Sequence, residues 1–166
     1  MPKLQTQCPT CRQPLVADVM QVFDVGQDPR AKEVFLSGMF NFAQCATCGF
    51  QGQIPMPLVY HDPEKELLLT FVPPSAGGSM QERENMLAPL MRKVTENLPP
   101  EGTKGYLFQP KSMFTVKNML ETVLEADGIT KEMMEAQEKK MSLIQRLLSV
   151  SEETRSYARA FAQVSC

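Results

Sequence analysis

The chain has 166 residues, of which 43% are apolar, enough to bury the core of one ordinary domain or of a small domain with a further element. Its formal charge of -2 and its scattered Lys and Arg exclude a concentrated basic surface that tracks a phosphate backbone, so nucleic acid is an unlikely partner. Met1 to Gln7 carries a single Lys3 with no apolar run behind it; with no signal peptide and no stretch near the roughly 18 apolar residues of a membrane span, a cytoplasmic location is expected.

The first 72 residues read mostly as strand. Leu15, Ala17, Val19, Phe23 and Val25 share one parity, as in a strand with one buried face, although Val16, Met20 and Val22 make the other face fairly apolar too. Gln27-Asp28-Pro29 breaks that strand. Asp28 can cap a short helix with Pro29 at its first position, and Gly38 ends it. Met39 to Gln44 is expected to return as a strand. After it, Phe50, Ile54, Met56, Leu58 and Tyr60 alternate with Gln51, Gln53, Pro55 and Pro57. The two prolines remove donors on one side, which predicts an edge strand. His61-Asp62-Pro63-Glu64 has the residues of a type I turn, and Leu67, Leu69 and Phe71 supply the returning strand of a hairpin.

Pro73 to Gly78 propagates neither helix nor ladder and reads as a linker. Ser79 and Glu82 form a capping-box pair ahead of Met86, Leu87, Leu90, Met91, Val94 and Leu98 at helical spacing. Pro89 is expected to kink or divide that helix. Tyr106, Leu107 and Phe108 suggest a short strand added to the N-terminal sheet. A second helix carries Val116, Met119, Leu120, Val123 and Leu124 and stops at Asp127-Gly128. A third begins near Thr130, with Met134, Met141, Ile144, Leu147 and Leu148 opposite a face of Glu and Lys, and Tyr157, Ala160, Phe161 and Val164 mark a last one. Because no stop signal precedes Cys166, the chain is expected to be cut from a longer helical one.

The chemistry concentrates in cysteine. In a cytoplasm thiols stay reduced, so paired cysteines are metal ligands or redox centres more often than disulfides. Cys8-Pro9-Thr10-Cys11 and Cys45-Ala46-Thr47-Cys48 are two C-x2-C units, and four thiolates so spaced make the sulfur cage of a closed zinc site. Gly49 suits the positive backbone dihedral that such a turn often needs; Arg12 stands at that place in the first unit. The 33 residues between Cys11 and Cys45 exceed the usual about 15 to 20, and the helix from Asp28 to Gly38 accounts for the excess as an insertion. One structural zinc is the leading reading. A rubredoxin-type iron site and a dithiol redox pair are the alternatives, the latter without the strand, motif and helix context of thioredoxin. Cys166 stands apart.

The C-P-x-C start, the segment from Asp28-Pro29 through Leu36-Ser37-Gly38 to Asn41-Phe42, the knuckle Cys45 to Gly49 and the Val59-Tyr60-His61-Asp62 turn together resemble the bacterial CpXC domain family. The resemblance covers about residues 4 to 128, with Ala46 where the second motif would carry Pro. It implies zinc on Cys8, Cys11, Cys45 and Cys48 and supplies no activity.

Other residues read as structural. His61, the single histidine, is expected in an exposed turn, and Asp62, Glu64 and Glu66 on solvated faces. There is no phosphate loop, dinucleotide fingerprint or metalloprotease motif. Among the twelve methionines, Met133, Met134 and Met141 lie beside Ile144, Leu147 and Leu148, a stripe that suits either core or a partner surface. The expected fold is α+β: a zinc-ribbon-containing antiparallel β-sheet followed by a helical C-terminal half. It divides into a domain over 1–128, with ribbon and sheet over 1–72 and helices and a short strand over 79–128, and an amphipathic helical extension over 129–166. The expected function is a zinc-stabilised binding or scaffold module, without enzymatic activity, that meets a protein partner or a second copy through its C-terminal helices. A nucleic-acid-associated adaptor and a thiol redox protein are the rivals.

Overall fold

The computed structural model describes residues 3–76, 78–96, 98 and 105–146. The chain divides into two units, Met1–Thr122 and Val123–Cys166. The first opens with two quasi-equivalent hairpins. β1 (Lys3–Gln7) pairs antiparallel with β2 (Pro14–Asp18), and β4 (Phe42–Gln44) pairs antiparallel with β5 (Gln51–Gln53). One cysteine pair lies in the turn of each. Burial alternates along β2, which places Leu15 and Ala17 in a core with Cys8, Val19, Ala43, Cys45 and Ile54 while Val16 stays exposed.

A four-stranded mixed sheet follows, in the order β3 (Val22–Asp24), β6 (Leu58–Asp62), β7 (Leu67–Phe71) and β8 (Lys111–Met113). The β6–β7 hairpin is antiparallel, and the outer pairs β3–β6 and β7–β8 are parallel. Every residue of β6 and β7 is buried, because helices cover both faces. On one face α1 (Arg30–Ser37) sets Phe35 against Phe23, Phe40 and Tyr60, with ring centroids 4.8 to 5.7 Å apart. On the other, α2 (Met80–Glu96) lays Leu90 and Val94 on Val59, Leu68 and Leu107.

The helix signals behave as their chemistry requires. The Asp28 carboxylate accepts from the Arg30 amide at 3.0 Å ahead of α1, and Gly38 closes it in the left-handed conformation at φ 66°. Ser79 Oγ accepts from the Glu82 amide at 3.2 Å while Glu82 Oε2 accepts from the Ser79 amide at 3.0 Å, a complete capping box. α3 (Val116–Ala126) ends at Gly128, φ 86°, with the Ile129 amide donating back to the Leu124 carbonyl.

Five expectations change. The strand expected through Val25 is two: β2 belongs to the ribbon, β3 to the mixed sheet, and Met20 and Gln21 turn the chain between them. Strand structure after Gly38 begins only at Phe42. The alternating run after Cys48 also divides, into β5 and β6, with Pro55 and Pro57 in the unpaired stretch between. The predicted edge strand does not form there; β6 is an inner strand, and the prolines sit where no ladder needs their missing donors. Pro89 does not divide α2, which continues as one 17-residue helix. Finally, Gly105–Phe108 forms a 3-10 turn, and the added strand is β8 instead.

In the second unit, Thr130 Oγ1 accepts from the Met133 amide at 3.4 Å and opens a helix over 131–146, designated α4. Met133, Met141, Leu143 and Ile144 are exposed on it. Leu147 and Leu148 of that expected helix, and the last expected helix with Tyr157, Ala160, Phe161 and Val164, lie outside the described residues.

Candidate metal centre

Both knuckles are built to one plan. The Cys8 amide donates to the Gln13 carbonyl at 2.9 Å and the Arg12 amide to the Cys8 carbonyl at 2.9 Å; the Cys45 amide donates to the Phe50 carbonyl at 2.8 Å and the Gly49 amide to the Cys45 carbonyl at 3.0 Å. The tight turn needs a left-handed residue at its fourth step. Gly49 takes it at φ 73° and Arg12 at φ 60°. These turns aim four sulfurs at one point, all within 4.8 Å of one another. Cys8 and Cys48 are 3.6 Å apart, as are Cys11 and Cys45. A disulfide needs about 2.05 Å, so these are not disulfides. Four sulfurs each about 2.3 Å from a central tetrahedral ion stand about 3.8 Å apart, and the donor set fits such an ion. The cluster can therefore hold one metal.

The thiols divide into two classes by the same geometry. Burial pushes the Cys8 thiol up, but the amides of Cys11 and Thr10 and the sulfur of Cys48 outweigh it, leaving it below its ordinary value. The amides of Cys48 and Thr47 pull Cys45 down to about 6 against burial. For Cys11 the Gln13 amide pulls down, but burial and the neighbouring sulfurs of Cys48, Cys45 and Cys8 win and push it up to about 12. Cys48 is likewise raised: the Phe50 amide lowers it, and burial with the sulfurs of Cys8 and Cys45 prevails. Four thiolates at this distance repel, so the cage needs a cation before all four ionise. Cys8 and Cys45 are buried, Cys11 is half-buried and Cys48 is exposed.

The insertion between the knuckles is larger than one helix. The chain leaves the ribbon after Val19, contributes β3 and α1 to the mixed sheet, and returns at Phe42. Asn41 clamps exit and return together: its Oδ1 accepts from the Met20 amide at 2.6 Å and its Nδ2 donates to the Met20 carbonyl at 3.0 Å. It is buried and left-handed at φ 55°, a conformation that Asn tolerates better than most residues. The loop spacing is thus closed by one side chain, and the cage is not stretched by the insertion.

His61 and Asp62 depart from the expectation of exposure. His61 is 1% exposed; its Nδ1 lies 2.9 Å from Asp24 Oδ1 and its Nε2 2.9 Å from the Tyr106 hydroxyl. Since a carboxylate only accepts, Nδ1 donates to Asp24, and Nε2 shares a hydrogen bond with the Tyr106 hydroxyl. Asp62 is buried too. Its Oδ1 accepts from the Glu64 and Lys65 amides and its Oδ2 meets Lys32 Nζ at 3.6 Å, whereas Glu64 and Glu66 are exposed as expected. The missed signal was the triple Leu67-Leu68-Leu69, which marks a strand covered on both faces. Its hairpin partner must then be buried, and a buried His needs partners.

A four-cysteine cluster able to hold one metal ion, on paired β-knuckles within an α+β framework, defines the class. Residues 6–138 match the model of the CpXC protein family, and the chain belongs to that family. No curated protein and no solved structure matches it.

Proposed function

We propose that the chain is a zinc-stabilised binding or scaffold module of the bacterial cytoplasm, with Cys8, Cys11, Cys45 and Cys48 as structural ligands of one zinc ion and no catalytic role. The closed four-sulfur arrangement supports the structural reading, because a catalytic zinc keeps a position for water or substrate. Iron is the other metal that four thiolates admit, and its colour separates the two.

The observation that carries the binding role is the helix over 131–146, where Met133, Met141, Leu143 and Ile144 are 40 to 59% exposed. Apolar side chains on one exposed helix, two of them Met, suit an adaptable protein contact. The test compares the full metal-loaded chain with a Leu143→Glu/Ile144→Glu variant by sedimentation at micromolar concentration and by capture of bound proteins with mass identification. Self-association or one specific protein, lost in the variant, is expected. A monomer with the same bound set in both forms contradicts the proposal.

A further inference from the structure

Apart from the four-cysteine cluster, the mixed sheet carries a cavity. α2 packs its C-terminal part on the sheet through Leu90 and Val94, whereas its first turns from Met80 to Glu84 are exposed. Under that overhang lies a cavity of about 550 Å³ lined by Thr70, Ser112, Arg83, Glu84, Met80 and Leu87. This falls within the about 300–1,000 Å³ of small-ligand sites. Its floor changes character abruptly. Leu68 and Thr70 lie on the same face of β7, and Leu68 belongs to the apolar core under α2. Thr70 is 2% exposed, and among the described residues its hydroxyl bonds to Ser112, at a long 3.5 Å. Two polar groups therefore occupy a sheet face that is apolar one step away. Above them, among the described residues, neither the Arg83 guanidinium nor the Glu84 carboxylate has an ion-pair partner.

We propose that this cavity binds a small ammonium–carboxylate zwitterion with an apolar side chain, a free amino acid or a short peptide. Arg83 takes the carboxylate in its planar fork, Glu84 takes the ammonium, Ser112 hydrogen-bonds the polar backbone, and Met80 and Leu87 cover the side chain. An anion alone leaves Glu84 facing like charge, and a cation alone leaves Arg83 so. The opposite pair selects a ligand carrying both signs. The cavity lies apart from the four cysteines, so failure here leaves the zinc reading untouched.

The test is titration of the full metal-loaded chain, followed by amide chemical shifts, with leucine, leucyl-leucine, N-acetyl-leucine and leucinamide. Leucine or the dipeptide should bind, in the range of about 0.1–1 mM; which binds tighter tells free amino acid from peptide. Removing either charge from the ligand should weaken binding by about tenfold or more. Arg83→Gln should abolish the preference for leucine over leucinamide, and Glu84→Gln the preference over N-acetyl-leucine. Both positions are exposed, so the variants keep the fold. No binding of leucine or dipeptide up to about 10 mM, or binding indifferent to the two charges, overturns the proposal.

Discussion

Arg12 occupies the left-handed step of its knuckle at φ 60°, where Gly49 serves the other knuckle at φ 73°. A side chain with a Cβ is costly there by about 1–2 kcal/mol, while Gly gives up part of that advantage through the freedom it has when unfolded. Arg12→Gly is therefore expected to raise stability by up to about 1 kcal/mol and to leave the metal site intact, checked by thermal unfolding of the metal-loaded protein. A loss of stability would mean that the Arg12 side chain holds the knuckle through contacts of its own. The ionisation of the four thiols sets a second outcome. Near neutral pH Cys11, at about 12, and Cys48, raised above its ordinary value, carry protons in the metal-free form, whereas Cys45, at about 6, is mostly ionised. Metal binding must displace at least the protons of Cys11 and Cys48. Lower pH supplies more competing protons, so affinity should fall with pH, by at least about a hundredfold per unit between pH 7 and 8 for the two protons of Cys11 and Cys48, and more steeply below pH 6 where Cys45 also takes one. Chelator competition across that range measures it; affinity independent of pH would remove the thiolates from the site.

The elements divide the molecule's stability unevenly. The ribbon of β1, β2, β4 and β5 encloses a small core in which Cys8 and Cys45 are themselves members. The mixed sheet owns a separate core on each face, the Phe23, Phe35, Phe40 and Tyr60 rings on one side and Val59, Leu68, Leu90, Val94 and Leu107 on the other. Structural zinc contributes on the order of 10 to 16 kcal/mol in small sites, more than so small a core can supply. After chelation, amide exchange should therefore accelerate first in β1, β2, β4 and β5, while β6 and β7 keep their protection. Uniform acceleration through both sheets would make ribbon and sheet one cooperative unit.

At the scale of the whole molecule, the order of elements was legible in the sequence wherever local chemistry decides it. The Ser79–Glu82 box, Gly38 and Asp127-Gly128 fixed helix ends, and the two C-x2-C units came together as their spacing implied. What stayed hidden is set by long-range contact. The division of β2 from β3 depends on Asn41 reaching Met20 across 21 positions, and no local pattern announces that clamp. The burial of His61 depends on Asp24 and Tyr106 arriving from distant segments. Pro55 and Pro57 spoke truly of missing donors, but the sequence alone could not say whether those donors fall on an edge or between strands. Parallel pairing of β3 with β6 and of β8 with β7 was equally silent, since parity is the same in either direction.

Four thiols holding one metal ion are the centre of the proposed function. The most direct test is elemental analysis of the full chain purified without added metal, with thiols counted under denaturing conditions before and after chelation. One zinc per chain, four thiols freed by the chelator from Cys8, Cys11, Cys45 and Cys48, and loss of ribbon structure are predicted. Metal-free protein with Cys8 and Cys11 joined in a disulfide would contradict it and make thiol redox chemistry the function to pursue.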